Sequence, residues 1–147
     1  MTHEHLIGET TVSESSNSAT RGLAGIVAGK TSLSTVGKEG HGLTYRGYTI
    51  EELAQQASFE EVAWLLLRGE LPNTHELKSY RQQLRSLRFL PAELKVILEQ
   101  LPASAHPMDV LRTVVSALGT IEPESPSRPA IEIADRLMAV QSSMLLY

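Results

Sequence analysis

Few residues in this chain could do chemistry: five histidines, a run of glycines and a basic stripe, with no cysteine. His3 and His5 could share a metal ion, but they sit among Ser, Thr, Glu and Asn with no third ligand identified, so they are read as incidental. His106 stands directly before Pro107, placed to accept from a first-turn N–H or donate toward a neighbour, and that structural role is set above acid–base catalysis. Arg21-Gly-Leu-Ala-Gly-Ile-Val-Ala-Gly29 invites a phosphate-loop reading, because glycines let backbone N–H groups approach phosphates. Neither GxxxxGK[ST] nor GxGxxG is present and a strand follows instead of a helix start, so a tight turn is the better reading. Lys78, Arg81, Arg85 and Arg88 recur every three or four residues along one helix face, the pattern of a solvated surface more than of a binding strip.

The chain of 147 residues is the size of one ordinary domain, and its formal charge of −4 argues against a nucleic-acid or anionic-membrane surface. Without cysteine there is no disulfide framework, thiol nucleophile or Cys-based zinc site, which fits a cytoplasmic location. Met1-Thr-His-Glu-His5 lacks the basic and apolar regions of a secretory signal, so no export is expected. The run Val62-Ala-Trp-Leu-Leu-Leu67 is too short to cross a bilayer and reads as a buried helix face.

Residues 1–19 have almost no apolar content and are expected to be a disordered tail; residues 20–147 then form the folded part. Its organisation turns on Leu43-Thr-Tyr-Arg-Gly-Tyr-Thr-Ile-Glu-Glu-Leu53. Before this stretch the pattern is short, Gly-punctuated and strand-like, and a small β-hairpin is expected with Gly37-Lys-Glu-Gly-His-Gly42 as its connection. After it, everything reads as helix. Thr49 with Glu52 and Ser58 with Glu61 are capping boxes that open two helices, the second carrying Phe59, Val62, Ala63, Leu66 and Leu67 until Gly69. Asn73 or Thr74 caps a third, with Leu77, Tyr80, Leu84 and Leu87 on its apolar face. Pro91 opens a fourth, running from Ala92 to Leu101. Pro107 opens a fifth, lined by Met108, Leu111, Val115 and Leu118 and expected to stop at Gly119. After a loop marked by Pro123 and Pro126, Pro129 starts the last, with Ile133, Leu137, Val140 and Met144 on its face and no polar ending at Tyr147. The fold class is mainly α: a short N-terminal hairpin followed by about six helices.

Three stretches together resemble one family. They are Ser34-Thr-Val-Gly-Lys-Glu-Gly40 with Leu43-Thr-Tyr-Arg-Gly-Tyr48, Phe59-Glu-Glu-Val-Ala63 through Leu67-Arg-Gly-Glu-Leu-Pro72, and His106-Pro-Met-Asp-Val-Leu-Arg-Thr113. The order and spacing resemble the N-terminal part of citrate synthases, most of all the 2-methylcitrate branch, and the likeness continues through Ile133-Ala-Asp-Arg-Leu137 and Ser142-Ser-Met-Leu-Leu-Tyr147.

That resemblance implies an incomplete part of an all-α dimeric acyltransferase. The complete enzyme condenses propionyl-CoA, or acetyl-CoA in the citrate branch, with oxaloacetate, the former reaction serving propionate catabolism. Two histidines and an aspartate carry the family's chemistry, the carboxylate removing a proton alpha to the thioester carbonyl. All three are expected beyond the position of Tyr147, and none of His41, His75 or His106 matches a catalytic motif of the family. No catalytic residue, metal ligand or bound cofactor is therefore assigned, and the chain alone is expected to be inactive. Arg21 aligns with a segment whose arginine can approach the CoA phosphates, where a guanidinium offers paired donors. Arg46 is expected to be structural, paired with Glu51, Glu52 or nearby carbonyls. A truncated remnant exposing Met138, Met144, Leu145 and Leu146, or a separate helical interaction module, are the competing readings.

Overall fold

The computed structural model of the protein describes residues 29–37 and 42–147. The expected tail, Arg21, His3, His5 and His41 lie outside the described residues, as does the expected boundary after residue 19.

Strands β1 (Ser34–Val36), β2 (Leu43–Tyr45) and β3 (Tyr48–Thr49) form an antiparallel meander, with Thr35 opposite Thr44 and Tyr45 opposite Tyr48. Sequence spacing suggested a two-stranded hairpin. The third strand arises because Arg46 (φ 51°) and Gly47 (φ 92°) both take positive φ, turning the chain in two residues with the twist that a tight hairpin needs. Glycine adopts that conformation freely; Arg46 does so only with help from contacts described below.

Six helices follow: α1 (Ile50–Gln56), α2 (Phe59–Arg68), α3 (Thr74–Ser86), α4 (Ala92–Glu99), α5 (Pro107–Ile121) and α6 (Ala130–Leu146). The first three share one starting device. Glu52 accepts from the Thr49 N–H, Glu61 from the Ser58 N–H at 2.8 Å, and Glu76 from the Asn73 N–H at 2.8 Å, while Asn73 Oδ1 accepts from the N–H groups of His75 and Glu76. Each box satisfies backbone donors that the first turn of a helix otherwise leaves open. α2 ends as expected at Gly69, whose φ of 101° makes the left-handed cap that favours glycine. α5 does not end at Gly119. It runs two residues further, closed by the Glu122 N–H donating to the Leu118 carbonyl at 2.7 Å, since one interior glycine costs only about 1 kcal/mol against this helix's packing.

α6 is the element against which α2 to α5 gather. On one side α4 and α5 join it around Leu94, Val114, Leu118, Val140 and Met144, all buried. On the other, α2 and α3 meet it around Ala63, Tyr80, Leu84 and Ala139, with Trp64, Leu87 and Met138 packed alongside. Fully burying a large apolar side chain stabilises by roughly 1.5–3 kcal/mol, so these two clusters supply much of the driving force for folding.

The apolar faces differ from the expected ones at their ends. Phe59 is 68% exposed and Met108 62% exposed, both in the first turn of their helices, while Leu65 and Val114, further along, are fully buried. Met144 is buried and Met138 half-buried, so only Leu145 and Leu146 of the expected exposed patch face outward. Within the described residues, no helix is long and apolar enough to cross a membrane.

Candidate functional site

The expected ligand contact, Arg21, lies outside the described residues, and the structure brings together a different set of polar groups. Its centre is α6, whose neighbouring Asp135 and Arg136 are both buried, at 1% and 3% exposure. A buried carboxylate needs partners for its lone pairs, because unpaired burial of charge is prohibitive. Asp135 has three. Arg68 at the end of α2 donates through Nη2 to Oδ2 at 2.6 Å, Tyr80 on α3 donates its hydroxyl to Oδ1 at 2.9 Å, and Gln83 donates Nε2 to Oδ2 at 3.3 Å.

The guanidinium of Arg68 also lies between two rings, 4.2 Å from the centre of Trp64 and 4.5 Å from that of Tyr80, and the rings themselves meet edge to face at 5.1 Å. Cation–π attraction and the ion pair thus act on one side chain. Burial pushes the Tyr80 hydroxyl up to about 12, helped by the carboxylate that accepts its proton. Tyr80 therefore stays protonated and keeps donating through the physiological range.

One residue further round α6, Arg136 points at different partners. Its Nη1 donates to the carbonyls of Leu87 and, at 2.9 Å, Phe89, which join α3 to α4. Its Nε and Nη2 clasp Glu122 at 3.0 and 2.6 Å, at the start of the α5–α6 loop, and Arg128 approaches the same carboxylate at 3.5 Å. The hydrogen bond from Arg136 holds the Glu122 carboxyl below the usual carboxylate range, outweighing the opposing effect of burial. A cleft of about 390 Å³ opens beside this pair, with Val115, Leu118, Ile133 and Leu137 as its apolar wall.

These arrangements hold helices together; they are poorly suited to proton transfer. A general base needs a lone pair within reach of a substrate proton and a pKa near the working pH. The Asp135 oxygens are engaged and sealed from solvent, and the lowered pKa of Glu122 makes it a weaker base. His75 is exposed at the start of α3. His106 caps α5, its Nδ1 accepting from the Met108 N–H at 3.2 Å. Among the described residues, no three His, Asp or Glu side chains gather as a metal site.

Arg46 takes neither of the carboxylates expected for it. Glu52 is engaged in its own capping box, and Arg46 donates to Ser32 Oγ at 2.8 Å and to the Leu66 carbonyl at 3.2 Å, closing one of the last open carbonyls of α2. Arg81, expected on the solvated face, is half-buried. It reaches back to the start of α2, donating to Ser58 Oγ at 2.9 Å and pairing with Glu60 at 3.6 Å, while Lys78, Arg85 and Arg88 remain exposed. The buried pair on α6 is the feature that apolar spacing missed. Its signal was present as two adjacent opposite charges inside the otherwise apolar run from Ile133 to Val140.

Residues 22–147 match the family model described as citrate synthase, C-terminal domain. The chain belongs to the citrate synthase family. A 2-methylcitrate synthase of Shewanella oneidensis is 53% identical over 126 residues, which is 86% of this chain and 34% of that protein. The citrate synthase of Thermotoga maritima MSB8 superposes with a TM-score of 0.73 at 34% identity, over 86% of this chain and 33% of its own. A citrate synthase of Thermoplasma acidophilum, solved as a ternary complex with carboxymethyl coenzyme A and oxaloacetate, shares the fold with a TM-score of 0.73 at 24% identity, over 82% of this chain and 32% of its own. The chain thus spans about a third of the length of these citrate synthase family members.

Proposed function

We propose that this chain is the N-terminal third of a 2-methylcitrate synthase. The complete enzyme condenses propionyl-CoA with oxaloacetate, releasing CoA and 2-methylcitrate, and this part supplies helical scaffold. One observation carries the branch: the 53% identity to the Shewanella oneidensis 2-methylcitrate synthase across nearly the whole matched region. The scaffold role draws on the engagement of the buried groups, since Asp135, Arg136 and Tyr80 spend their hydrogen-bonding capacity on one another's helices. In this reading the carboxylate that takes the alpha proton, and the histidines that hydrogen-bond the enol and the oxaloacetate carbonyl, come from the other two thirds. Arg21 contributes one phosphate contact to CoA, which is bound as substrate and not as a resident cofactor. The assembled enzyme is a cytoplasmic homodimer.

The purified 147-residue chain is expected to release no CoA from propionyl-CoA plus oxaloacetate, followed with a thiol reagent. A chimera in which residues 20–147 replace the matching third of the Shewanella enzyme is expected to release CoA from propionyl-CoA plus oxaloacetate. A folded but inactive chimera would count against the 2-methylcitrate branch, and release by the isolated chain would overturn the scaffold reading. Arg21→Ala in the chimera should raise the KM for the acyl-CoA while leaving that for oxaloacetate unchanged; an unchanged acyl-CoA KM would remove Arg21 from the site.

A further inference from the structure

We propose that Asp135 and Arg136 are a register lock: two adjacent buried charges that fix the rotation and height of α6 among its neighbours. The apolar pattern alone leaves that setting open. α6 carries Ile131, Ile133, Ala134, Leu137, Met138, Ala139, Val140, Met144, Leu145 and Leu146, which between them point in nearly every direction around the axis. The evenly spaced set Ile133, Leu137, Val140 and Met144 defines one face, whereas the buried set is Asp135, Arg136, Ala139, Val140 and Met144. At 3.6 residues per turn the second face is turned by about 80° from the first, a little less than one residue's rotation.

The charges discriminate where the apolar residues do not. Asp135 faces Arg68, Tyr80 and Gln83 on α2 and α3, while Arg136, about 100° round the helix, faces Glu122 and the carbonyls of Leu87 and Phe89. A shift by one residue would move both charges off their partners at once, leaving a carboxylate and a guanidinium buried and unpaired. That is strongly destabilising, whereas exchanging one aliphatic side chain for another at the same interface costs little. Two locks aimed in different directions also constrain more than one: a single ion pair would still allow the helix to pivot about it. The buried pair thus serves uniqueness of packing, a role separate from its net contribution to stability.

The natural absence of cysteine makes the test direct. Spin labels on Gln82→Cys in α3 and Gln141→Cys in α6, both exposed positions, report the distance between the helices. The otherwise unaltered chain is expected to give one narrow distance distribution. Replacing both locks with apolar or neutral side chains of similar size, Arg68→Met with Asp135→Leu and Arg136→Met with Glu122→Gln, should keep the helical circular dichroism and broaden or split that distribution. Val140→Ala, which weakens the same helix without touching a lock, should leave it narrow. If the four-fold variant loses its helicity, the two single-lock variants decide, each expected to stay helical with a broadened distribution. A narrow distribution at the original distance after the locks are removed overturns the proposal. Loss of helicity in the single-lock variants does so too, because the pair would then be needed for folding and not for register.

Discussion

The two sides of α6 are held by different physics. Toward α4 and α5 the contact is mainly aliphatic, Leu94, Val114, Leu118, Val140 and Met144 meeting, with the Arg136–Glu122 pair at its edge by the end of α5. Toward α2 and α3 it is an aromatic and ionic assembly, with Arg68 between Trp64 and Tyr80 and the Asp135 carboxylate at its end. The aliphatic side responds to volume: what matters is that the space is filled. The ionic side responds to direction, because each donor must meet its acceptor at a set distance and angle.

Breaking the directional side should have the largest effect. Asp135→Ala leaves Arg68, Tyr80 and Gln83 without their acceptor, and a loss of about 4 kcal/mol is expected in urea unfolding of the chain, as when one member of a buried pair is removed. Leu94→Ala, on the filled side, should cost about 3 kcal/mol through lost transfer energy and an uncollapsed cavity. If Leu94→Ala proved the more damaging by a clear margin, the contrast between the two sides would fail. Away from both clusters, Asn73→Ala removes only the acceptor for two first-turn N–H groups of α3 and should cost about 1 kcal/mol, read as a shift in the same urea midpoint.

The smallest effect expected is an acid dependence. Glu122 is held below its ordinary value by the hydrogen bond from Arg136, and Glu61 by the Ser58 hydroxyl. A carboxyl whose folded pKa is depressed binds fewer protons folded than unfolded. Its stabilisation is therefore present above the unfolded value of about 4.5 and is lost as pH falls through the lower folded value. Stability measured from pH 6 down to pH 3 should fall, and the slope should be shallower in Glu122→Gln; an identical slope would show that the Arg136 clasp is already open or already exposed to water.

Different kinds of residue made different parts of the fold legible. Every helix start was readable, because a cap or an N-terminal proline acts within four residues of itself: Thr49 with Glu52, Ser58 with Glu61, Asn73 or Thr74, which the structure resolves to Asn73 with Glu76, then Pro91, Pro107 and Pro129. Gly119 misled because a glycine breaks a helix only where packing does not hold it, and that depends on α6, distant in sequence. The faces of α2 and α5 were read correctly except at their first-turn members, Phe59 and Met108, since i, i+3 and i+4 spacing does not say where along a helix burial begins. The polar partners of Asp135 could not be read at all: Arg68, Tyr80 and Gln83 lie 67, 55 and 52 residues earlier. For the site itself, the likeness of whole stretches to a family said more than any single residue, and the one contact it suggested, Arg21, falls outside the described residues.

The three glutamate boxes also bear on the order in which a growing chain can commit itself. Each is complete once four consecutive residues have been made, so α1, α2 and α3 carry their own start instructions as they leave the ribosome. α6 emerges last of the six, when Arg68, Tyr80, Gln83, Leu87, Phe89 and Glu122 have all been synthesised. Its two charges need not wait for partners. They arrive into a set of acceptors and donors already present.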